Sequence, residues 1–345
     1  MTDHNKNWIG KQVLITGICG TVGKKILGKI FNYKDIKIIG IDNNESELFF
    51  LREEYRSFEN IKLFYCDIRD LDDLTRISKK TDYIIHTAAL KHVEICEFSP
   101  LDAIKTNVLG TQSIINLAEE INCERVLLTS TDKAVNPTNV MGTSKLLSER
   151  LMTSANFKSS GKPIYISTRF GNVLGSRGSV IPLFLKQIKE GGPITLTDKL
   201  MTRFIMTLSE ASDLVLDSMF IGHGGEVFVT KMKVLNILDL AKVLIEVLAP
   251  KYGYKVDDIK IKIIGSRPGE KIYEELTNSE EISRTIEMEN FLCILPSTVG
   301  IEEKQIDEKY KNIKNKNVSN PYNSSLEQLM SKSEIKSYLL SKKII

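Results

Sequence analysis

The apolar run Gln12 to Thr16 (QVLIT) ends in Gly17-Ile-Cys-Gly20-Thr-Val-Gly23, and a stretch of helical period follows from about Val22 to Phe31. This join constrains the chain more than any other feature. A strand that turns through glycines straight into a helix brings unbonded helix N–H groups to the strand's end. The glycines also let the backbone approach a bound pyrophosphate closely. A second apolar run, Ile36 to Ile41, completes a βαβ unit, with Asp42 at its end. An acid about 20 residues past such a loop can hydrogen-bond an adenosine ribose, and its charge repels a ribose 2′-phosphate. The reading is NAD, with NADP disfavoured, held by Gly17, Gly20, Thr21, Val22, Gly23 and Asp42. The alternative is that Asp42 only opens a turn with Asn43 and Asn44.

The alternation continues. Apolar runs at Ile61 to Tyr65, Tyr83 to His86, Arg125 to Thr129 and Ile164 to Thr168 are separated by helical patterns, including Ala103 to Ile121. Strands that recur only after a helical crossover lie parallel, so the fold class is α/β, a Rossmann-type doubly wound parallel sheet. Past about residue 170 glycine and proline become frequent, and helical stretches near Ser209 to Phe220 and Asn236 to Leu248 alternate with short strands. The expected organisation is an NAD-binding domain over residues 1–170 and a smaller α/β substrate lobe over 171–300, with elements returning to the first domain. A tail over 301–345 is helical from Ser325 to Leu340 and packs outside or frays.

Composition narrows the function classes. With 47 Lys plus Arg against 44 Asp plus Glu the charge is +3, too balanced for an extended nucleic-acid or anionic-membrane surface. The five cysteines are scattered, without C-x-x-C spacing, so neither a metal centre nor a disulfide framework is expected, and a reducing compartment is favoured. The polar start MTDHNKNWIGKQ and the absence of any apolar run near the roughly 18 residues of a membrane span give a cytoplasmic expectation.

After the fifth run comes Thr129-Ser-Thr-Asp-Lys-Ala-Val-Asn-Pro-Thr-Asn-Val-Met-Gly-Thr-Ser-Lys145. Asp132 and Lys133 fall at the C-terminal edge of a parallel sheet, where ligands bind in such folds, and supply adjacent acid and base. With TGICGTVG, HTAALKHV, KTNVLGT, RFGNVLGSRGSVIP, MTRFIMT, GGEVFV and RPGEKIYEEL, in order from Thr16 to Leu276, the chain resembles an extended short-chain dehydrogenase/reductase. Within that superfamily it is similar to nucleotide-sugar 4,6-dehydratases of bacterial glycan biosynthesis, above all those acting on UDP-N-acetylglucosamine. The resemblance implies oxidation at sugar C4 by NAD, removal of the C5 proton by Lys133, protonation of the departing C6 hydroxyl by Asp132, and return of hydride to C6. For these roles the Lys133 amine must move down and the Asp132 carboxyl up, toward neutrality.

Met141 stands where most of the superfamily has tyrosine, and a thioether cannot accept the C4 hydroxyl proton. Some members of the resembled group also carry methionine here. Asp132, with Thr131 orienting the hydroxyl, is the candidate to receive that proton and later deliver it to the C6 oxygen. Lys145 is expected to hydrogen-bond the nicotinamide ribose, Asp67 and Ile68 to contact adenine, and Ala88 and Ala89 to let the cofactor approach the backbone. For the substrate, Arg177, Arg203 and Arg267 have the planar cations that grip diphosphates. By resemblance, Asn172 meets the diphosphate-sugar segment and Glu270 the ribose hydroxyls. Val180 and Lys91 are further substrate candidates, and Gly192 to Thr197 would offer extended backbone to the base. Three alternatives stay open: a 4-epimerase, a 5,6-dehydratase, and a catalytically silent NAD-binding regulatory protein. The resemblance also implies a homo-oligomer.

Overall fold

The computed structural model describes residues 5–159, 161–176, 179–265, 269–297 and 303–345. In chain order the first six strands are β1 (Gln12–Thr16), β2 (Lys37–Asp42), β3 (Ile61–Tyr65), β4 (Tyr83–His86), β5 (Arg125–Thr131) and β6 (Ile164–Phe170). Five follow: β7 (Asn172–Val173), β8 (Ile194–Leu196), β9 (Thr202–Met206), β10 (Val227–Thr230) and β11 (Lys233–Asn236). The last are β12 (Ile261–Ile263), β13 (Thr285–Met288), β14 (Phe291–Ile294) and β15 (Ile313–Asn315).

Ten of these form one sheet in the order β15-β13-β14-β10-β6-β5-β4-β1-β2-β3. From β3 to β10 every pairing is parallel, as helical crossovers require. Leu14 pairs between Ile39 and Ile84 and faces one apolar cluster with Ile114 and Leu117 of the helix Gly110–Glu120. Val13 and Ile15 point the other way, onto Ile26, Leu27 and Ile30 of the helix Thr21–Ile30. Burial on both faces is why these strands read as unbroken apolar runs. Strand order reverses between β1 and β4, and a crevice opens there at the strands' C-terminal ends.

The second lobe holds the small sheets β11-β9-β7 and β12-β8. Its own core joins Phe184 and Ile188 of the helix Val180–Lys189 to Leu240 and Leu244 of the helix Ile237–Leu248. Three expectations need correction. The helical pattern from Ala103 to Ile121 is interrupted by a π-helical turn, Ile104–Leu109. The tail does not lie loosely outside: β15 pairs with β13 in the main sheet, and Ile335 and Leu339 are buried in the second core. Its helix begins at Lys332, seven residues beyond the expected Ser325, because Ser331 and Glu334 form a capping box there. Among the described residues no helix is long and apolar enough to cross a membrane.

Candidate active site

A cleft of about 650 Å³ opens at the C-terminal ends of β1, β4 and β5 and is closed on its far side by Asn172, Ser176 and Ser179 of the second lobe. Gly17 begins its floor with φ +67°, and a Cβ there would lie 2.7 Å from the Cα and N of Ala88. No larger residue fits that crossing of two loops. Gly23 does not line the cleft; a Cβ on it would meet the Gly17 carbonyl at 2.5 Å, so its role is to let the helix seat against the loop. No side chain caps this helix, whose first residues Thr21 and Val22 face the cleft with Gly20.

Asp42 is turned back over the loop. Its Oδ2 accepts from the Cys19 N–H at 2.9 Å and its Oδ1 from the Asn44 N–H at 2.9 Å, which fixes the carboxylate beside the cleft. Asp67 lines the same end, with Ile68. Its hydrogen bonds from Arg69, at 2.8 and 2.6 Å, hold its carboxyl down at about 2. Ala88, Ala89 and Lys91 complete this wall. A turn only glycine can make, an open helix N-terminus and a fixed carboxylate fit a dinucleotide whose pyrophosphate lies on the loop.

Deeper in the cleft, β5 ends in Thr131 and a 3₁₀ turn, Asp132–Ala134, and packs against the helix Val140–Lys158. Asp132 is 1% exposed. Its Oδ1 accepts from Thr131 Oγ1 at 2.8 Å and from Lys133 Nζ at 3.0 Å, while its Oδ2 has no partner among the described residues. Met141 lines the cleft beside this pair and packs with Cys96 and Ala103, its thioether filling space. One helical turn on, Lys145 is buried and donates to the Thr129 carbonyl at 2.6 Å. Burial pushes its amine down to about 8, against the pull of the Glu149 carboxylate.

The expected depression of Lys133 is not what the structure shows. Burial alone would lower its amine, but the carboxylates of Asp132 and Glu274 outweigh that cost and hold it well above the ordinary lysine value.

Of the substrate candidates, Asn172 faces the cleft and leaves its buried Oδ1 without a partner among the described residues. Ser130 Oγ and Ser179 Oγ are likewise buried on cleft-lining residues and have no partner among the described residues. Buried polar atoms rarely go unsatisfied, so together they mark where a polar ligand would bond. Arg203 is not brought to the cleft wall. Its guanidinium donates to the carbonyls of Thr202, Lys271 and Ile272 and lies 3.5 Å from Glu274, so its charge is engaged by the protein itself. Val180 starts a helix packed on the second core, and Glu270 lies outside the cleft lining. The Gly192 to Thr197 backbone is engaged by β12 and by Gln187, whose Oε1 takes the Thr195 N–H. Arg177 and Arg267 lie outside the described residues.

Sequence reasoning missed three groups. Asn107, in the π-helical turn, bonds both backbone groups of Leu90 and donates to Ser144 Oγ at 2.9 Å, tying the β4 loop to the Lys145 helix. His86 is buried between Thr16 and Thr111, and burial, then Lys145, pushes its imidazole down to about 3, so it stays neutral. Glu274, 2% exposed, lies 3.4 Å from Lys133 Nζ. Each depends on chain crossings that no local pattern announces.

Residues 13–296 match the family described as Polysaccharide biosynthesis protein. An uncharacterized membrane protein of Methanocaldococcus jannaschii is 48% identical over 95% of both chains. The capsular polysaccharide biosynthesis protein CapD of Staphylococcus aureus is 43% identical over 79% of this chain, which spans only 46% of that protein's length. A protein named UDP-glucose 4-epimerase from Rickettsia bellii is 40% identical over 83% of each chain. Among solved structures, Pen from Bacillus thuringiensis superposes with a TM-score of 0.89 at 39% identity, over 98% of this chain and 99% of that one.

Proposed function

The chain belongs to the polysaccharide biosynthesis protein family, and within it we propose an NAD-dependent enzyme that removes water from a nucleotide-activated N-acetylhexosamine, UDP-N-acetylglucosamine first among candidates, to leave its 4-keto-6-deoxy form. One observation carries this reading: a buried carboxylate, Asp132, with one oxygen bonded to Thr131 and Lys133 and the other unpartnered among the described residues, on the cleft wall beside a residue that cannot move a proton, Met141. A simple oxidation or epimerisation at C4 needs no group to protonate a leaving hydroxyl. A dehydration does.

Bound over the glycine loop, NAD would supply reversible acceptance and return of hydride. The chain's own residues do the proton work. Thr131 orients the C4 hydroxyl, and Asp132 Oδ2 takes its proton. The 4-ketone so formed acidifies C5–H, which Lys133 Nζ removes once it has given up the ammonium proton that the neighbouring carboxylates favour. Asp132 then passes its proton to the C6 oxygen, which leaves as water, and Lys133 returns a proton to C5. Lys145, held by the Thr129 carbonyl, presents its amine to the nicotinamide ribose. Asn172, Ser130 and Ser179 offer the sugar and diphosphate polar atoms that no described residue bonds.

The Rickettsia relative named UDP-glucose 4-epimerase, at 40% identity, favours a second reading in which C4 is oxidised and reduced on the opposite face without water loss. Incubation with UDP-N-acetylglucosamine in deuterated buffer separates them. A product lighter by one water, labelled at C5, supports dehydration; an isomer of unchanged mass and unlabelled C5 means epimerisation and ends the first reading.

A further inference from the structure

Resting on the dehydratase reading, we infer that Glu274 is the proton partner of Lys133: it takes the ammonium proton and leaves the neutral amine that C5 deprotonation requires. The observation is geometric. Lys133 Nζ stands between two buried carboxylates, 3.0 Å from Asp132 Oδ1 and 3.4 Å from Glu274 Oε1. Both carboxylate side chains are 2% exposed, whereas Lys133 is 28% exposed toward the cleft. Asp132 already has work at the C4 and C6 oxygens, so it cannot also hold the lysine's proton. Glu274 does not line the cleft, and besides Lys133 it faces the structural cation Arg203.

Its placement is built. The segment Gly269 to Thr277 lies against the catalytic loop: Thr138 Oγ1 and Asn139 Nδ2 donate to the Gly269 carbonyl, and Lys271 Nζ donates to the Val135 carbonyl at 2.9 Å. Ser324 then clamps Glu274 from behind, its Oγ accepting the Glu274 N–H at 2.9 Å and its N–H bonding the Glu274 carbonyl at 2.9 Å. Arg203, fixed by three backbone carbonyls, holds its Nε 3.5 Å from Glu274 Oε1. The second oxygen, Oε2, is buried without a partner among the described residues.

The charged groups bearing on Lys133 are therefore Asp132 from its own turn, Glu274 from the docked segment and Arg203 from β9. Burial raises the Glu274 carboxyl, with Lys133 opposing, Asp132 adding to the rise and Arg203 opposing it. The transfer breaks one N–H bond on Lys133 and forms one O–H bond on Glu274, turning an ion pair into a neutral amine and acid. The amine then takes the C5 proton and later delivers a proton, exchanged with solvent, back to C5, after which Glu274 gives its own proton back to Lys133. No other reactant enters.

Glu274 acts through Lys133 and is thus a positioning and proton-holding residue. The test is Glu274→Gln, which keeps the shape and removes the charge, read by lysine carbon NMR of the free protein with the Lys133 signal assigned by its loss in Lys133→Arg. The expected result is a Lys133 midpoint lower by about one pH unit or more, because a charge beside the ammonium is gone. Turnover in water loss should fall about 100-fold with KM changed less than about threefold, as for a lost proton-transfer group. Glu274→Asp, retaining the charge, should hold the Lys133 midpoint near wild type and so shows that the fold survives. An unmoved Lys133 midpoint in Glu274→Gln, or wild-type turnover in that variant, overturns the inference. If instead wild type removes no water from the sugar nucleotide while the midpoint still moves, the dehydratase reading fails and the Lys133–Glu274 coupling stands.

Discussion

Replacing Gly142 with alanine should displace the proposed catalytic pair, Asp132 and Lys133, without touching any group proposed to meet substrate. Gly142 lies in the first turn of the helix Val140–Lys158, and a Cβ built on it falls 2.1 Å from the Lys133 carbonyl oxygen. An ordinary carbon–oxygen contact needs about 3.3 Å, so helix and turn must part by about 1 Å. The atom met is backbone, and no rotamer relieves the clash. Overpacking of this kind costs about 1–3 kcal/mol, against a gain in helix propensity of about 1 kcal/mol. A misplacement of about 1 Å at a catalytic group lowers rate by about 100-fold, or about 2.7 kcal/mol of barrier. The assay is kcat/KM for water loss from UDP-N-acetylglucosamine, beside thermal unfolding. Gly28→Ala is the control: in the helix Thr21–Ile30 its Cβ would meet only Tyr55 Oη, at 3.7 Å, and stability should rise by up to about 1 kcal/mol with activity intact. Wild-type kcat/KM and unfolding temperature in Gly142→Ala would refute the reasoning.

Asp42→Ser should narrow any preference for NAD over NADP by about tenfold, measured by equilibrium binding, since the carboxylate that repels a 2′-phosphate is gone; an unchanged ratio shows that Asp42 serves only the loop bonds to Cys19 and Asn44. Lys145 lies at about 8 in the fold against an ordinary 10.5, so the unfolded chain binds more protons between those values and this group's contribution to stability rises with pH across that window. The stability of Lys145→Met minus that of wild type should therefore fall from pH 8 to 10.5, and a flat difference contradicts the burial. Arg169 is 1% exposed and bonds both Glu149 and Glu281, so Arg169→Met leaves two carboxylates buried face to face and should cost about 3–5 kcal/mol by chemical denaturation. A loss under about 1 kcal/mol would mean water reaches the pair.

What could be read without coordinates was local. The strand, glycine loop and helix at Gln12–Ile30, and Asp42 at the next strand's end, announce themselves through spacing, because backbone geometry at a βα turn demands those residue types in sequence. Asp132, Lys133, Met141 and Lys145 were legible for the same reason: one strand end and one helical turn hold them. Arg203 suggests phosphate by its charge, while the carbonyls that engage it here belong to residues 271 and 272, which approach only through the second lobe's fold. Glu274 was invisible as a partner of Lys133 for the same reason, being far away in sequence and delivered by a segment whose own spacing carries no helical or strand period. The tail helix was recoverable: Ser-Lys-Ser-Glu at 331–334 is a capping box, a sharper start signal than the period that suggested Ser325.

The clamp on Glu274 by Ser324 also sets an order of assembly. A ribosome that has released everything through β6 has delivered the glycine loop, the acid–amine pair and the buried lysine, and the nascent chain can already shape the dinucleotide's bed. On the proposed mechanism the chemistry is completed only when the segment carrying Ser324 is stitched behind the loop, so a chain cut back to before Ser324 should hold nucleotide yet turn nothing over.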